Sequence, residues 1–304
     1  MRRHIVPGAV AAALLLGIGS PNDAWAAPPA AAKPAAAKPA AAKPAAAKPA
    51  AAKPGAYKGP VKPEIKDAIA SLQTGDNAKV EGALVVVRTA GRDGGGRAAT
   101  VAIVERLEKG LPKDTIKKAL ETLTDLEDAN GADAGVMYLE HRDAEVRLAA
   151  VKCLGASKSD KATAGLRHAL ADVDARVHST AASLLGQTKS AEAVPDLTIA
   201  LDKKVTSAAV SIGMLCDAKS CDILLDRLKS MPFDVISSGL EPIFERKEIG
   251  DDYKKKVITV VRELASQRAR EFLQKVRQAW PAGGSKPVAE ALDKAVKDLE
   301  GASK

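Results

Sequence analysis

The sequence predicts an all-α fold, an α-solenoid of stacked antiparallel helix pairs, and three observations predict it. Apolar residues recur at helical spacing in two runs 31 residues apart: Val146, Ala149, Ala150, Cys153 and Leu154, then Val177, Thr180, Ala181, Leu184 and Leu185. Gly155 and Gly186 follow these runs at the same spacing, where a helix C-terminus favours a residue tolerant of positive φ, and a second apolar pair follows each glycine, Leu166 and Leu170, then Leu197 and Leu201. A third copy holds Ala208, Ile212, Gly213, Leu224 and Leu228, each 27 residues after its counterpart. One helix pair cannot bury its own stripe, so such units stack. Small residues, Ala149, Ala150, Ala181, Ala182, Ala208 and Ala209, permit close helix approach. The clearest repeats run over residues 143–228.

Residues 1–26 read as a secretory signal peptide: Arg2 and Arg3, an apolar run from Ile5 to Ile18, and Ala24-Trp25-Ala26 before a cleavage point at Ala27. The run is short for a bilayer span, and no later stretch is apolar enough for one. The expected chain is therefore exported, periplasmic or secreted, with no transmembrane segment. Residues 27–62 read as a disordered linker of AAAKP repeats. Proline at every fifth residue blocks the helix that alanine and lysine favour. The linker is read as a spacer, or as a weak tether to an anionic envelope surface through Lys33, Lys38, Lys43, Lys48 and Lys53.

The formal charge of +8 resolves by segment. Residues 1–26 carry +1, and Lys33, Lys38, Lys43, Lys48, Lys53, Lys58 and Lys62 carry +7, which leaves residues 63–304 neutral. A basic excess confined to an exported tail argues against nucleic acid as the partner.

In the body, Val80, Ala83, Leu84, Val87 and Ala90 suit a helix, and a second is expected over Arg97–Lys109. Pro112 opens another with Ile116, Ala119, Leu120 and Leu123 on one face. Ala119 and Leu123 precede Ala150 and Leu154 by 31, and Leu139 precedes Leu170 by 31, so an eroded repeat lies there. After Leu228, helices are expected near Asp234–Glu245, Asp252–Ala265, Arg268–Trp280 and Pro287–Leu299, the later ones over 250–300 capping the stack. Asp143, Asp174 and Asp202 are expected just before helices, where a carboxylate accepts from free N–H groups.

The runs DAEVRLAAVKCLG and DARVHSTAASLLG resemble HEAT repeats of the short bacterial type, also seen in phycobilin lyases and scaffold proteins. The pattern is Asp, two spacers, Val-Arg, small residues, Leu-Gly. Asp143, Val146 and Arg147 match it; His178 follows Asp174 and Val177 in place of the arginine; Thr206 follows Asp202 and Val205. The resemblance implies an armadillo-like superhelix whose second helices line a binding face, and an Asp–Arg ladder between adjacent repeats.

Enzymatic signals do not assemble. Gly94 to Ala99 formally fits G-x-G-x-x-A, but TAGRD separates it from the apolar run and no βαβ unit follows. His141-Arg142-Asp143 spells a kinase tripeptide, yet position 148 is leucine where that pattern needs asparagine. His141, His168 and His178 form no cluster at metal spacing. Cys153 reads as a buried thiol. Cys216 and Cys221 flank a short polar turn and are either bridged, as an oxidising compartment favours, or two reduced thiols at adjacent helix ends. The expected function is an exported, non-enzymatic scaffold for a protein partner, without cofactor or metal. The alternatives are a lyase-like or chromophore-handling protein and an envelope anchor acting through its lysine tail.

Overall fold

A computed structural model describes residue 57 and residues 59–302. The signal-peptide reading of residues 1–26 and the tail lysines Lys33, Lys38, Lys43, Lys48 and Lys53 lie outside the described residues. The described residues hold fifteen α-helices: α1 (Pro63–Leu72), α2 (Asn77–Ala90), α3 (Thr100–Glu108), α4 (Lys113–Leu126), α5 (Gly131–Met137), α6 (Ala144–Ser157), α7 (Asp160–Ala169), α8 (Ala175–Gln187), α9 (Val194–Asp202), α10 (Ser207–Leu215), α11 (Asp222–Asp226), α12 (Phe233–Glu245), α13 (Asp251–Glu263), α14 (Gln267–Ala279) and α15 (Lys286–Ala302). Short 3₁₀ turns at Gly96–Ala99 and Ala191–Ala193 lead into α3 and α9. Among the described residues no helix is long and apolar enough to cross a membrane.

The helices form two rows. The even-numbered helices α2 to α14 stack consecutively, each on the next, in a first row. In the second row α1, α3, α5 and α7 stack in turn, and α13 meets α15. The core lies between the rows and is continuous from Ala68 to Leu299. The repeated apolar positions fill it: Val146, Ala150, Cys153 and Leu154, and Val177, Ala181 and Leu185, are fully buried. So are Ala208, Ile212 and Leu224 of the third copy.

Two turn features differ from the expectation. Gly155 and Gly186 do not end their helices, because α6 runs on to Ser157 and α8 to Gln187. The left-handed residue comes three positions later. Glu127 (φ 47°), Lys158 (φ 46°) and Lys189 (φ 57°) adopt it at intervals of 31. These glycines serve close approach instead. A Cβ on Gly155 would stand 2.6 Å from the methyls of Leu184 on α8, and one on Gly186 would stand 2.7 Å from Ser211 Oγ on α10. The same position in the third copy, Gly213, also lies inside a helix, and a Cβ there would overlap the carbonyl oxygen of Gly239 on α12.

Because a side chain in the left-handed region crowds its own carbonyl, Lys189→Gly is expected to stabilise the fold by about 0.5–1 kcal/mol. Lys189 is the position to test, since Glu127 and Lys158 are joined at 2.9 Å and replacing either also removes that pair. A chemical denaturation midpoint that falls on this substitution would count against the argument.

Asp202 also departs from its expected place. It is the last residue of α9, not a cap before α10. The third copy is shorter by four residues (27 against 31), so the aspartate that precedes a helix in the first two copies has no equivalent there.

Candidate functional site: the second-row face and its edge cavity

Polar side chains tie each repeat to the next. Asp143 Oδ1 accepts from the N–H of Glu145 and Asp174 Oδ1 from the N–H of Arg176, both at 2.9 Å, at the starts of α6 and α8. Lys113 of the preceding repeat donates to Asp143 at 2.9 Å, and this bond holds the Asp143 carboxyl below the usual carboxylate range. Arg176 bridges Asp174 and Glu145, and its hydrogen bond lowers Asp174 to about 2.

The Asp–Arg ladder exists, but its acid differs from the one expected. Arg147 grips Asp172, in the turn before α8, in a bidentate pair at 2.7 and 2.9 Å. Its remaining nitrogen donates to the carbonyl oxygens of His141 and Arg142. The guanidinium thus spans the turn before α6 and the turn before α8. Both side chains are largely buried, and the Arg147 bond pulls the Asp172 carboxyl down. At the equivalent place in the next repeat His178 keeps one part of this arrangement, with Nδ1 donating to Asp172 O at 2.9 Å. Asp202 joins a mirrored pair with Arg227 at 2.7 and 2.8 Å. Sequence reasoning missed Asp172 and Arg227 because neither lies in the repeat signature.

These turns frame a cavity of about 460 Å³, lined by Leu139, Glu140, His141, Arg147, His168 and Asp172 among others. His141 Nδ1 accepts from the N–H of Asp143 at 3.1 Å, so its proton sits on Nε2. His168 Nε2 lies 3.4 Å from Glu140. Val173 is 94% exposed at the rim.

The second-row helices carry a periodic surface beside this cavity. Met137, His168 and Ile199 lie 31 residues apart, and all three are exposed. Met137 is 40% and Ile199 55% exposed, unusually open for large apolar side chains. Two ion pairs, Asp133–Lys161 between α5 and α7 and Arg167–Asp196 between α7 and α9, flank the row. What remains on offer is an apolar row with imidazole at its centre. A search for exposed residues at the repeat period would have found it; the search for buried ones did not.

Cys216 and Cys221 are joined in a disulfide, fully buried, with Cα atoms 5.1 Å apart. Arg246 donates to the carbonyl oxygens of Gly213 and Cys216, closing the end of α10. Cys153 is a free buried thiol, and burial pushes its pKa up to about 12. The disulfide closes a short loop, so replacing both cysteines with serine is expected to cost about 2 kcal/mol. Equal melting temperatures for this variant and the parent would refute that figure. Among the described residues no three His, Cys, Asp or Glu side chains converge as a metal site.

A family description of HEAT repeats matches residues 100–183 and 132–210. No curated protein matches the sequence. Among solved structures, the complex of CpcE and CpcF of phycocyanin lyase from Nostoc sp. PCC7120 is 18% identical, covering 83% of this chain and 100% of that one at a TM-score of 0.40. A designed armadillo repeat protein is 14% identical, covering 77% and 99% at 0.40. Human deoxyhypusine hydroxylase is 15% identical, covering 78% and 96% at 0.35.

Proposed function

Residues 100–210 are HEAT repeats, and from that premise we propose that the chain is a non-enzymatic scaffold that holds a protein partner on its second-row face. The observation that carries this reading is the exposed row of Met137, His168 and Ile199, flanked by the ion pairs Asp133–Lys161 and Arg167–Asp196. Apolar side chains left open at the repeat period give an extended partner evenly spaced contacts. In this reading the chain is exported, and the lysine-rich tail is a basic tether to the anionic envelope. The double variant Met137→Asp and Ile199→Asp should lose the partner that the parent chain retains from envelope extracts at high salt, with an unchanged melting temperature. Undiminished retention would sink the proposal. Removal of residues 27–62 should abolish only the salt-sensitive part of retention on envelope material.

A second reading attaches to the edge cavity, where two histidines and two arginines converge beside Asp172. Such a site suits an anionic small molecule, in line with chromophore handling. Saturable binding of a linear tetrapyrrole that Arg142→Ala weakens at least about tenfold, as loss of a charged contact predicts, would favour it.

A further inference from the structure

The turn between α5 and α6 carries two side chains that the fold does not need. His141-Arg142 has its counterparts at the repeat period in Gly110-Leu111, Asp172-Val173 and Lys203-Lys204, so the turn imposes neither an imidazole nor a guanidinium. Yet the dipeptide is held in place, because one nitrogen of Arg147 donates to both of its carbonyl oxygens. The N–H of Asp143 fixes the His141 ring through Nδ1, which leaves Nε2–H as a donor without an acceptor among the described residues. The Arg142 guanidinium has no partner among them either.

Both residues line the edge cavity, whose volume of about 460 Å³ lies in the range of small-ligand sites. Of the charges around it, Arg147 and Asp172 neutralise one another, and all three Arg147 nitrogens are engaged. Glu140 stands 3.4 Å from His168. Arg142 is the cation left over. A guanidinium fork matches a planar carboxylate in two parallel bonds, and an imidazole N–H adds a third donor. A doubly charged anion such as phosphate gains the same cation but meets Asp172 and Glu140, like charges that repel it more strongly. Part of the wall is apolar. Leu139 and Ala169 are buried in it, and Val173 stands 94% exposed at its rim. An aliphatic group laid on Val173 removes that surface from water.

Resting on the reading of this cavity as an anion site, we propose that it binds a small free monocarboxylate with an aliphatic tail. The carboxylate lies on Arg142 and His141 Nε2, and the tail covers Leu139 and Val173.

Isocaproate is the probe. In the full chain the ring Cε1–H resonances of His141 and His168 should shift saturably, with a dissociation constant of about 1 mM, as suits so few atoms. Isocaproamide and inorganic phosphate should each bind at least about tenfold more weakly. Arg142→Gln and Val173→Asp should each weaken isocaproate by at least about the same factor. Their melting temperatures should match the parent, because both positions are exposed. Arg142→Lys should retain only part of the affinity, since an ammonium keeps the charge without the fork. An amide or a phosphate that binds as well as isocaproate overturns the proposal. So does Arg142→Gln with parent affinity, or no saturable shift up to about 50 mM. A linear tetrapyrrole that binds equally as free acid and as dimethyl ester upholds chromophore handling and overturns the carboxylate site. Binding of isocaproate without binding of the tetrapyrrole upholds the site and removes chromophore handling.

Discussion

Gly213→Ala should cost about 3 kcal/mol, the upper end of what overpacking typically inflicts, and Gly213→Val should prevent the stack from closing between α10 and α12. The obstacle is backbone. A Cβ on Gly213 stands 2.9 Å from the carbonyl carbon of Gly239 and overlaps its oxygen, and a Cβ on Gly239 stands 2.5 Å from the carbonyl oxygen of Ala209. A flexible side chain could swing aside, but here one helix must retreat from another whose far face is already packed. Thermal unfolding of the two variants measures the loss. A Gly213→Ala protein within about 1 kcal/mol of the parent would mean that the helices separate more cheaply than a packed interior allows.

Arg147→Ala should be the most damaging polar substitution, at about 3 kcal/mol, because it strands Asp172 in a largely buried site and frees two carbonyl oxygens. Its pH dependence identifies the cause. Arg147 depresses the folded pKa of Asp172, as Arg176 does for Asp174, taking it to about 2. A depressed carboxyl contributes stability that is present above its unfolded pKa of about 4 and is lost as pH falls through the folded value. Parent stability should therefore decline as pH falls below about 4, and Asp172→Asn should flatten that decline while lowering the plateau at pH 7. An identical acid limb in Asp172→Asn and the parent would show that the pair does not drive it.

The helix pairs from α6 to α10 were legible because their buried residues recur at one period, and periodicity is what a helix face imposes. α1 was not legible: ten residues with three buried positions make too short a stripe to repeat. The glycines were recognised as special, yet their role was read as conformational when it is steric. Sequence marks a position that tolerates no side chain but does not say whether φ or a neighbour forbids it. Asp172 illustrates a further limit. It lies outside the helices, where position follows the path of the turn, and only the fold shows that Arg147 reaches it. The exposed row of Met137, His168 and Ile199 mixes apolar and polar residue types, so no hydropathy pattern reveals it.

The single-file arrangement of the first row also has a mechanical meaning. Each of these helices meets the one before and the one after, besides its neighbours in the second row, so a pull applied at α1 and α15 passes from repeat to repeat in series. Elements in series carry the same tension, and the weakest junction yields first whatever the strength of the others. The junctions are unlike: α10 and α12 meet backbone to backbone, whereas α2 and α4 are joined by long charged side chains that stretch and re-form in water. The covalent link between Cys216 and Cys221 keeps the turn after α10 from paying out chain. Under load the stack would lengthen from its N-terminal repeats, while the segment around α10 and α12 stayed stiff.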